Sequence, residues 1–550
     1  MITDPTSRVH ELLNQYDTPN ACAATLLCDR HPADDVAFTV VESDLSSTDL
    51  TYGQLREQST KFAAALSKLG VGSGDHVATM MGKSAELVVA LLGIWRQGAI
   101  HVPLFTAFAS PAIAHRLHAS ATKVVICDAD QLHKLAASDD IPAAPPWQVV
   151  VPGAPIDADV PGLTHLAPAH DDATIPESAA VVGGDGTLVQ LFTSGTTGPP
   201  KGVPVPLRAL ASFHAYQEFG LDARKDDVFW NAADPGWAYG LYYAILGPLA
   251  AGVHSILLHA RFSAPLVWQV MERFGVTNFT AAPTVYRSLL ADPAPIPATL
   301  RLRRASSAGE PLTPDVIAWS QTHLNVLVRD HYGQTEHGMF IANAWADTLR
   351  DEVCAGSMGT ALPGWQCAIL NFGSDSPAPT QTLGRVAIDA HNSPLMWFTG
   401  YTDAPDKTAQ RFTPDGRWYL TGDAGHIDDE NRFFFSARDD DVIIMAGYRI
   451  GPFEVESVLV IHPEVVEAAV VARSDDIRGE VLEAFVVLHT GTDGTAELEK
   501  ELQTLVKQGF SAHAYPRTVH FVSELPKTSS GKVQRYLLRQ GPLTAAVRPR

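Results

Sequence analysis

Cysteine is scarce in this chain. Five occur in 550 residues, at Cys22, Cys28, Cys127, Cys354 and Cys367, and none stands in C-x-x-C spacing. That excludes a disulfide framework and points to free, mostly buried thiols in a reducing compartment. Basic residues are outnumbered, with 40 Lys+Arg against 61 Asp+Glu and a formal charge of −21. A surface of that sign repels nucleic acid and acidic lipid, so neither is expected as a partner, and an anionic small substrate needs a locally basic site. The start, Met1-Ile2-Thr3-Asp4-Pro5, lacks the basic residues and apolar run of a secretory signal. The most apolar stretch, 236–253, is interrupted by Gly240, Gly247, Pro248 and Gly252, and no second candidate accompanies it. Buried core is therefore expected there, with no stable membrane insertion, and the cytoplasm is the expected location. The histidines lack metal-ligand spacing such as H-E-x-x-H. Gly82-Lys83-Ser84 lacks the earlier glycine of a P-loop and reads as a helix entry. Gly72-Ser73-Gly74 lacks the third glycine of a dinucleotide fingerprint and reads as a turn.

What is present is a soluble globular composition, 46% hydrophobic and 18% charged, in a chain long enough for two or more domains. Apolar residues at helical spacing over 51–69 end at Gly70 as a helix stop. A buried strand at 76–81, a helix from Ser84 to about Gln97, and strands at 99–102 and 123–127 continue the alternation. This predicts an α/β layered domain with a parallel sheet. Much of 139–185, rich in Ala, Pro and Asp, reads as surface loop. A second α/β pattern runs from Leu188 to about residue 340, and short strands and turns fill 384–435. Composition breaks at Ala437-Arg438-Asp439-Asp440-Asp441. Beyond it come a strand at 442–445, a helix at 452–462, strands at 465–472 and 483–488, a helix at 496–509 and a strand at 519–522. The expected architecture is a large α/β domain with a β-rich part over 1–437 and a small α+β domain over 442–550, with 438–441 between them and a frayed tail at the end.

The most informative segment is Leu191-Phe192-Thr193-Ser194-Gly195-Thr196-Thr197-Gly198-Pro199-Pro200-Lys201-Gly202, which follows an apolar strand. Glycines let backbone N–H groups approach oxygen anions, while hydroxyls and one ammonium add donors and charge. The composition suits polyphosphate, although the spacing is not that of the P-loop.

This loop resembles the signature of the adenylate-forming (AMP-binding) superfamily, which includes acyl-CoA synthetases, peptide-synthetase adenylation domains and luciferases. Further segments resemble that superfamily in its own order. They are Ser307-Ala308-Gly309-Glu310-Pro311, Asp330-His331-Tyr332-Gly333-Gln334-Thr335-Glu336 and Tyr419-Leu420-Thr421-Gly422-Asp423. Arg438-Asp439-Asp440-Asp441 with Gly447-Tyr448-Arg449-Ile450, and Pro526-Lys527-Thr528-Ser529-Ser530-Gly531-Lys532, complete the set. The resemblance implies that a carboxylate attacks the α-phosphorus of ATP, pyrophosphate leaves, and the acyl-adenylate passes to CoA. Thr193, Ser194, Gly195, Thr196, Thr197, Gly198 and Lys201 would hold the phosphates, and Glu336 would bind Mg²⁺. Gly309, Glu310, Pro311, Asp330, His331, Tyr332, Gly333, Gln334 and Thr335 would border the nucleotide, and Asp423 with Arg438 would hold the ribose.

Lys532 would bridge the substrate carboxylate and the α-phosphate. The resemblance also implies that 438–441 is a hinge and the small domain mobile, so that a pivot at Asp440 would then withdraw Lys532 and bring Gly447, Tyr448, Arg449 and Lys507 to CoA. Lys532 also resembles lysines silenced by acetylation, which makes a lysine acetyltransferase an expected partner. The acyl pocket would include Trp237, Ala238, Tyr239, Ala308 and Gly333. The resemblance is to acetyl-CoA and medium-chain acyl-CoA synthetases. Acetate enzymes carry Trp where this chain has Gly333, which implies an acid larger than acetate and a shift toward acetate on Gly333→Trp. An adenylating ligase that loads a carrier protein is the alternative enzyme, and a degenerate binding protein the non-enzymatic one; intact Lys201, Glu336, Asp423, Arg438 and Lys532 oppose the latter.

Overall fold

Three sheets organise the chain, and the strands do not join them in simple sequence order. The computed structural model describes residues 4–153, 158–164, 178–193, 200–445, 448–475, 479–511, 515–527 and 532–540. Ser194, Gly195, Thr196, Thr197, Gly198 and Gly447 lie outside the described residues, as does the tail expected after 540.

The first sheet has seven strands, with His76–Met80, Ile100–Pro103 and Val124–Cys127 at its centre. These three run parallel, and Val77, Ala78, Val102 and Val124 through Cys127 are fully buried. Near-continuous apolar strands are what a parallel sheet covered on both faces requires. The helix Tyr52–Lys68 begins at Thr51, whose side chain accepts from the Gln54 amide while Gln54 reaches back to the Thr51 amide. It stops before Gly70, which takes φ +80, a conformation cheap only for glycine. Ser84 caps the helix Ala85–Arg96, so 82–84 is a helix entry and 72–74 a turn, as read from the sequence.

Two expectations are corrected here. Within 139–185, the strands Gln148–Val150 and Leu163–Thr164 extend the parallel sheet, and Ile141 and Trp147 are buried. The proline-rich composition hid strands only a few residues long. Thr187–Thr193 and Lys201–Pro206 also close this first sheet as an antiparallel pair, rather than opening the second α/β pattern.

The second sheet has thirteen strands. Phe229–Asn231, Ser255–His259, Asn278–Ala281, Arg304–Ala308 and Val328–Gln334 form its parallel core. The strand Val36–Glu42 returns from the N-terminal region to pair parallel with Ser255–His259. At the other end the strands of 338–438 continue the same sheet in antiparallel fashion. Within 236–253 the helical turns Ala238–Gly240, Leu241–Leu246 and Gly247–Ala251 bury residues 240–250, as expected, and end at Gly252. No described helix is long and apolar enough to cross a membrane.

The short turn Asp439–Asp441 joins the last strand of this sheet to be entered, Phe433–Arg438, to the five-stranded sheet of the small C-terminal domain. In that domain the helix Ala496–Gly509 places Leu498, Leu502 and Val506 on one face. They pack on buried Val470, Leu482, Ala484 and Val486. Burying each such side chain contributes about 1.5–3 kcal/mol, enough to give the domain its own core.

Candidate active site

A cavity of about 1520 Å³ lies where the large domain meets the small one. The C-terminal ends of Arg304–Ala308 and Val328–Gln334, the hairpin Thr187–Thr193/Lys201–Pro206 and the small domain all border it. Open α/β sheets bind ligands at the carboxyl ends of their strands.

At one end of the cavity, strand register sets Thr193 opposite Lys201 across the glycine-rich connection. The Thr193 Oγ1 is buried and has no hydrogen-bond partner among the described residues. Lys201 places its Nζ 4.4 Å over the Tyr401 ring, and burial with the nearby Arg411 charge lowers its pKa. The Tyr401 hydroxyl donates to Glu336 Oε1 at 2.7 Å and accepts from Arg411 Nε at 3.1 Å. Glu336 is only 5% exposed, and its other oxygen takes no hydrogen bond from a described residue. The buried hydroxyl and hard carboxylate oxygen fit Mg²⁺, which prefers one or two carboxylates completed by phosphate oxygens. Among the described residues no group of three or more His, Cys, Asp or Glu could hold a metal ion. Tyr401, Lys407 and Arg411 were not anticipated. They precede Asp423 by more than ten residues and carry no spacing signal.

Further along, Asp423 faces Arg438 across the antiparallel pair. Its carboxylate accepts from Arg438 at 2.8 Å, from Gln334 Nε2 at 2.6 Å and from the Tyr332 hydroxyl. The adjacent Asp423 charge is the main cause that holds the Arg438 guanidinium above its ordinary pKa. Two oxygens shared by three donors form a preorganised, ion-paired acceptor site that a diol could enter by displacing the Tyr332 or Gln334 donor.

Asp330 lies beside Ser307 in the parallel register, next to Gly309, Glu310 and Pro311. Its Oδ2 accepts from the Leu312 amide at 3.2 Å, while Oδ1 is buried without a described partner. Burial pushes this carboxyl up from 3.8 to about 8, so it is protonated in the native protein at neutral pH and ionised in the unfolded chain. Stability from this group is therefore lost as pH rises from about 4 to 8, at up to about 1.4 kcal/mol per pH unit. Asp330→Asn is expected to remove that slope. In urea titrations its stability gain over wild type should be near zero at pH 4 and largest at pH 8.

Several other predicted residues are placed less simply. The His331 ring is engaged by the Tyr216 hydroxyl at 2.7 Å and the Asn343 carbonyl at 3.3 Å, and burial lowers its pKa to about 3. It is thus a neutral, packed side chain. Thr335 offers its carbonyl to the Tyr242 hydroxyl. Lys532 is exposed and borders the cavity from the small-domain side. Arg449 instead lies 4.6 Å over the Phe372 ring and Lys507 lies 3.9 Å over Tyr515. Neither borders the cavity; Tyr448 belongs to the same short strand as Arg449. The structure therefore gathers Thr193 and Lys201 and the ribose and adenine candidates with Lys532, and leaves Arg449 and Lys507 outside.

The apolar end of the cavity is bordered by Trp237, Ala238, Tyr239 and Ala308, with Phe105, Tyr243 and Met339 in addition. Trp237 packs against Phe105 and Phe108 at 5.5 and 5.2 Å between ring centroids. Tyr239 is tied to Thr280 and Tyr216 through its hydroxyl at 2.8 and 3.2 Å.

Gly333 borders the cavity too, but the reading of this position as simply vacated space needs correction. It sits at an irregularity between Val328–Gln334 and Gly338–Ala342, where an added Cβ would stand 2.2 Å from the Gly338 carbonyl oxygen. The glycine permits two backbones to approach. Gly333→Trp must therefore remodel the hairpin, and is expected to destabilise the protein by about 3 kcal/mol, seen as a lower thermal midpoint before any shift toward acetate.

Comparison with known proteins gives consistent matches. Residues 27–401 match the model of the AMP-binding enzymes and residues 454–532 that of the AMP-binding enzyme C-terminal domain. The acetyl-coenzyme A synthetase of Bacillus subtilis (strain 168) is 35% identical over 495 residues, spanning 89% of this chain and 84% of the relative. The mitochondrial acyl-coenzyme A synthetase ACSM3 of Rattus norvegicus is 33% identical over 520 residues, 92% of this chain and 86% of the relative. A crystal structure of Brucella canis acyl-CoA synthetase is 40% identical with a TM-score of 0.74, covering 98% of both chains. A benzoate CoA ligase from Burkholderia xenovorans LB400 is 27% identical with a TM-score of 0.80, covering 97% of this chain and 99% of that one.

Proposed function

The chain belongs to the family of AMP-binding enzymes, and on that footing we propose that it is an acyl-CoA synthetase acting on a carboxylic acid larger than acetate. One observation carries the reading. Lys532 of the small domain borders the same cavity as Lys201, Glu336, Asp423 and Arg438 of the large one.

The chemistry joins two anions, so the site must offset their repulsion and accept charge moving toward a leaving group. Thr193 and Lys201, with Ser194, Thr196 and Thr197, hold the β- and γ-phosphates of ATP. Glu336 would hold Mg²⁺ together with phosphate oxygens, and the bound ion would supply positive charge against the polyphosphate. Asp423 accepts the ribose hydroxyls beside Arg438, and the unpaired oxygen of Asp330 meets the adenine edge. Lys532 lies between the substrate carboxylate and the α-phosphate while the carboxylate oxygen attacks phosphorus. In the second step the CoA thiol attacks the acyl carbonyl and AMP leaves, after rotation about Asp440 brings the segment of Gly447, Tyr448 and Arg449 inward. Acetylation of Lys532 would remove its charge and stop the first step alone. The cytoplasm suits the supply of ATP and CoA.

The acyl group occupies the end bordered by Trp237, Ala238, Tyr239 and Ala308, where each further buried methylene adds about 0.8 kcal/mol. A screen of carboxylic acids for pyrophosphate release, with CoA or a phosphopantetheinyl carrier protein as acceptor, tests this. The expected result is acid-dependent release with AMP and a CoA thioester, favouring acids longer or bulkier than acetate. Acetate as the best substrate, or a carrier preferred over CoA, would contradict it.

A further inference from the structure

The boundary between the two domains carries a run of alternating charges that ends at the loop of Lys532. On the large domain, Arg287 of the helix Pro283–Ala291 donates to Glu310 at 3.3 Å. The same guanidinium nitrogen lies 4.0 Å from Glu467 of the small domain. Glu467 in turn accepts from Lys527 through both oxygens, at 2.7 and 2.8 Å. Lys527 pairs with Val533 as an isolated bridge, and the Gln534 amide donates to the Pro526 carbonyl at 2.8 Å. The base of the loop that carries Lys532 is thus closed by the residue Glu467 holds. Lys532 and Lys527 also act electrostatically on Glu310.

We propose that Arg287 and Glu467 are positioning residues for Lys532, forming with Glu310 and Lys527 an interdomain latch that keeps Lys532 at the cavity for the first half-reaction and parts before the second. The inference rests on the adenylating role given to Lys532 above. Geometry and exposure support it. The four side chains are 18–32% exposed, so their attraction is screened less than that of surface pairs. The contact that crosses the boundary, at 4.0 Å, is also the longest in the series, as suits a link that must break on every turnover. Two carboxylates among three cations leave net positive charge where the two anionic reactants meet.

The test compares Arg287→Ala, Glu467→Gln and Arg287→Lys with wild type in three measurements. These are ATP–pyrophosphate exchange, thioester formation from supplied acyl-adenylate, and interdomain energy transfer between dyes on exposed sites of the two domains without substrate. Arg287→Ala and Glu467→Gln are each expected to lower exchange about fivefold, to leave thioester formation within about twofold, and to shift the energy transfer; Arg287→Lys should restore most of the exchange. Equal loss in both half-reactions, or unchanged exchange, would overturn the latch. Should wild type exchange no pyrophosphate with any acid, the adenylating role of Lys532 falls. The dyes then decide the latch alone, a shift upholding it and an unchanged signal overturning it.

Discussion

Lys532→Ala is expected to abolish measurable ATP–pyrophosphate exchange while thioester formation from supplied acyl-adenylate survives. In the first half-reaction a carboxylate approaches an α-phosphate, and both are negative. A single ammonium between them, in a cavity partly shielded from water, stabilises the charge that builds on the bridging oxygens; loss of one such group costs about 2.7–4 kcal/mol, a factor of about 10²–10³ in rate. In the second half-reaction the electrophile is already an acyl-adenylate, and the lysine is not needed. Lys532 borders the cavity whereas Arg449 and Lys507 lie elsewhere, an arrangement suited to the first step only. Equal loss in both half-reactions would refute the assignment.

Asp440→Pro should have the opposite signature. Asp440 is the middle residue of the Asp439–Asp441 turn, which follows Arg438 in extended conformation, φ −71 and ψ 149. A tight turn of this kind has φ near −60, compatible with the fixed φ of proline, so the arrangement seen here is expected to tolerate the ring. Rotating the small domain requires the pivot to leave that φ, and a misplaced proline costs about 3 kcal/mol or more. Thioester formation should therefore fall about a hundredfold, with adenylation reduced far less. The contacts to be broken are modest: Arg287 to Glu467 at 4.0 Å, Ser436 donating to Glu454 at 3.1 Å, Phe435 against Phe453 at 6.0 Å, and Arg449 over Phe372. A wild-type rate for the second step would contradict the pivot.

Local signals in the sequence translated well into local structure. The helix starts near Thr51 and Ser84 were legible because each cap is a contact between residues three apart. The helix Ala496–Gly509 was legible from its apolar spacing. Which sheet a strand enters was not, since Val36–Glu42 pairs with Ser255–His259 across more than two hundred residues. Candidate site residues carried by compact motifs, such as Asp330, Glu336 and Asp423, could be picked out individually. Their supports could not. Tyr401 reaches Glu336 and Arg287 reaches Glu310 only through tertiary folding, and neither belongs to a motif. Gly333 shows the converse limit, because its reason lies in the opposing backbone at Gly338.

The central claim is that an oxygen of an organic acid attacks the α-phosphorus of ATP in the interdomain cavity. It is tested most directly by turnover with an accepted acid labelled with ¹⁸O in its carboxylate, followed by mass analysis of the nucleotide and phosphate products. The account predicts one ¹⁸O atom in AMP and none in pyrophosphate. Label in inorganic phosphate with ADP as the nucleotide product, or unlabelled AMP beside a formed thioester, would contradict it.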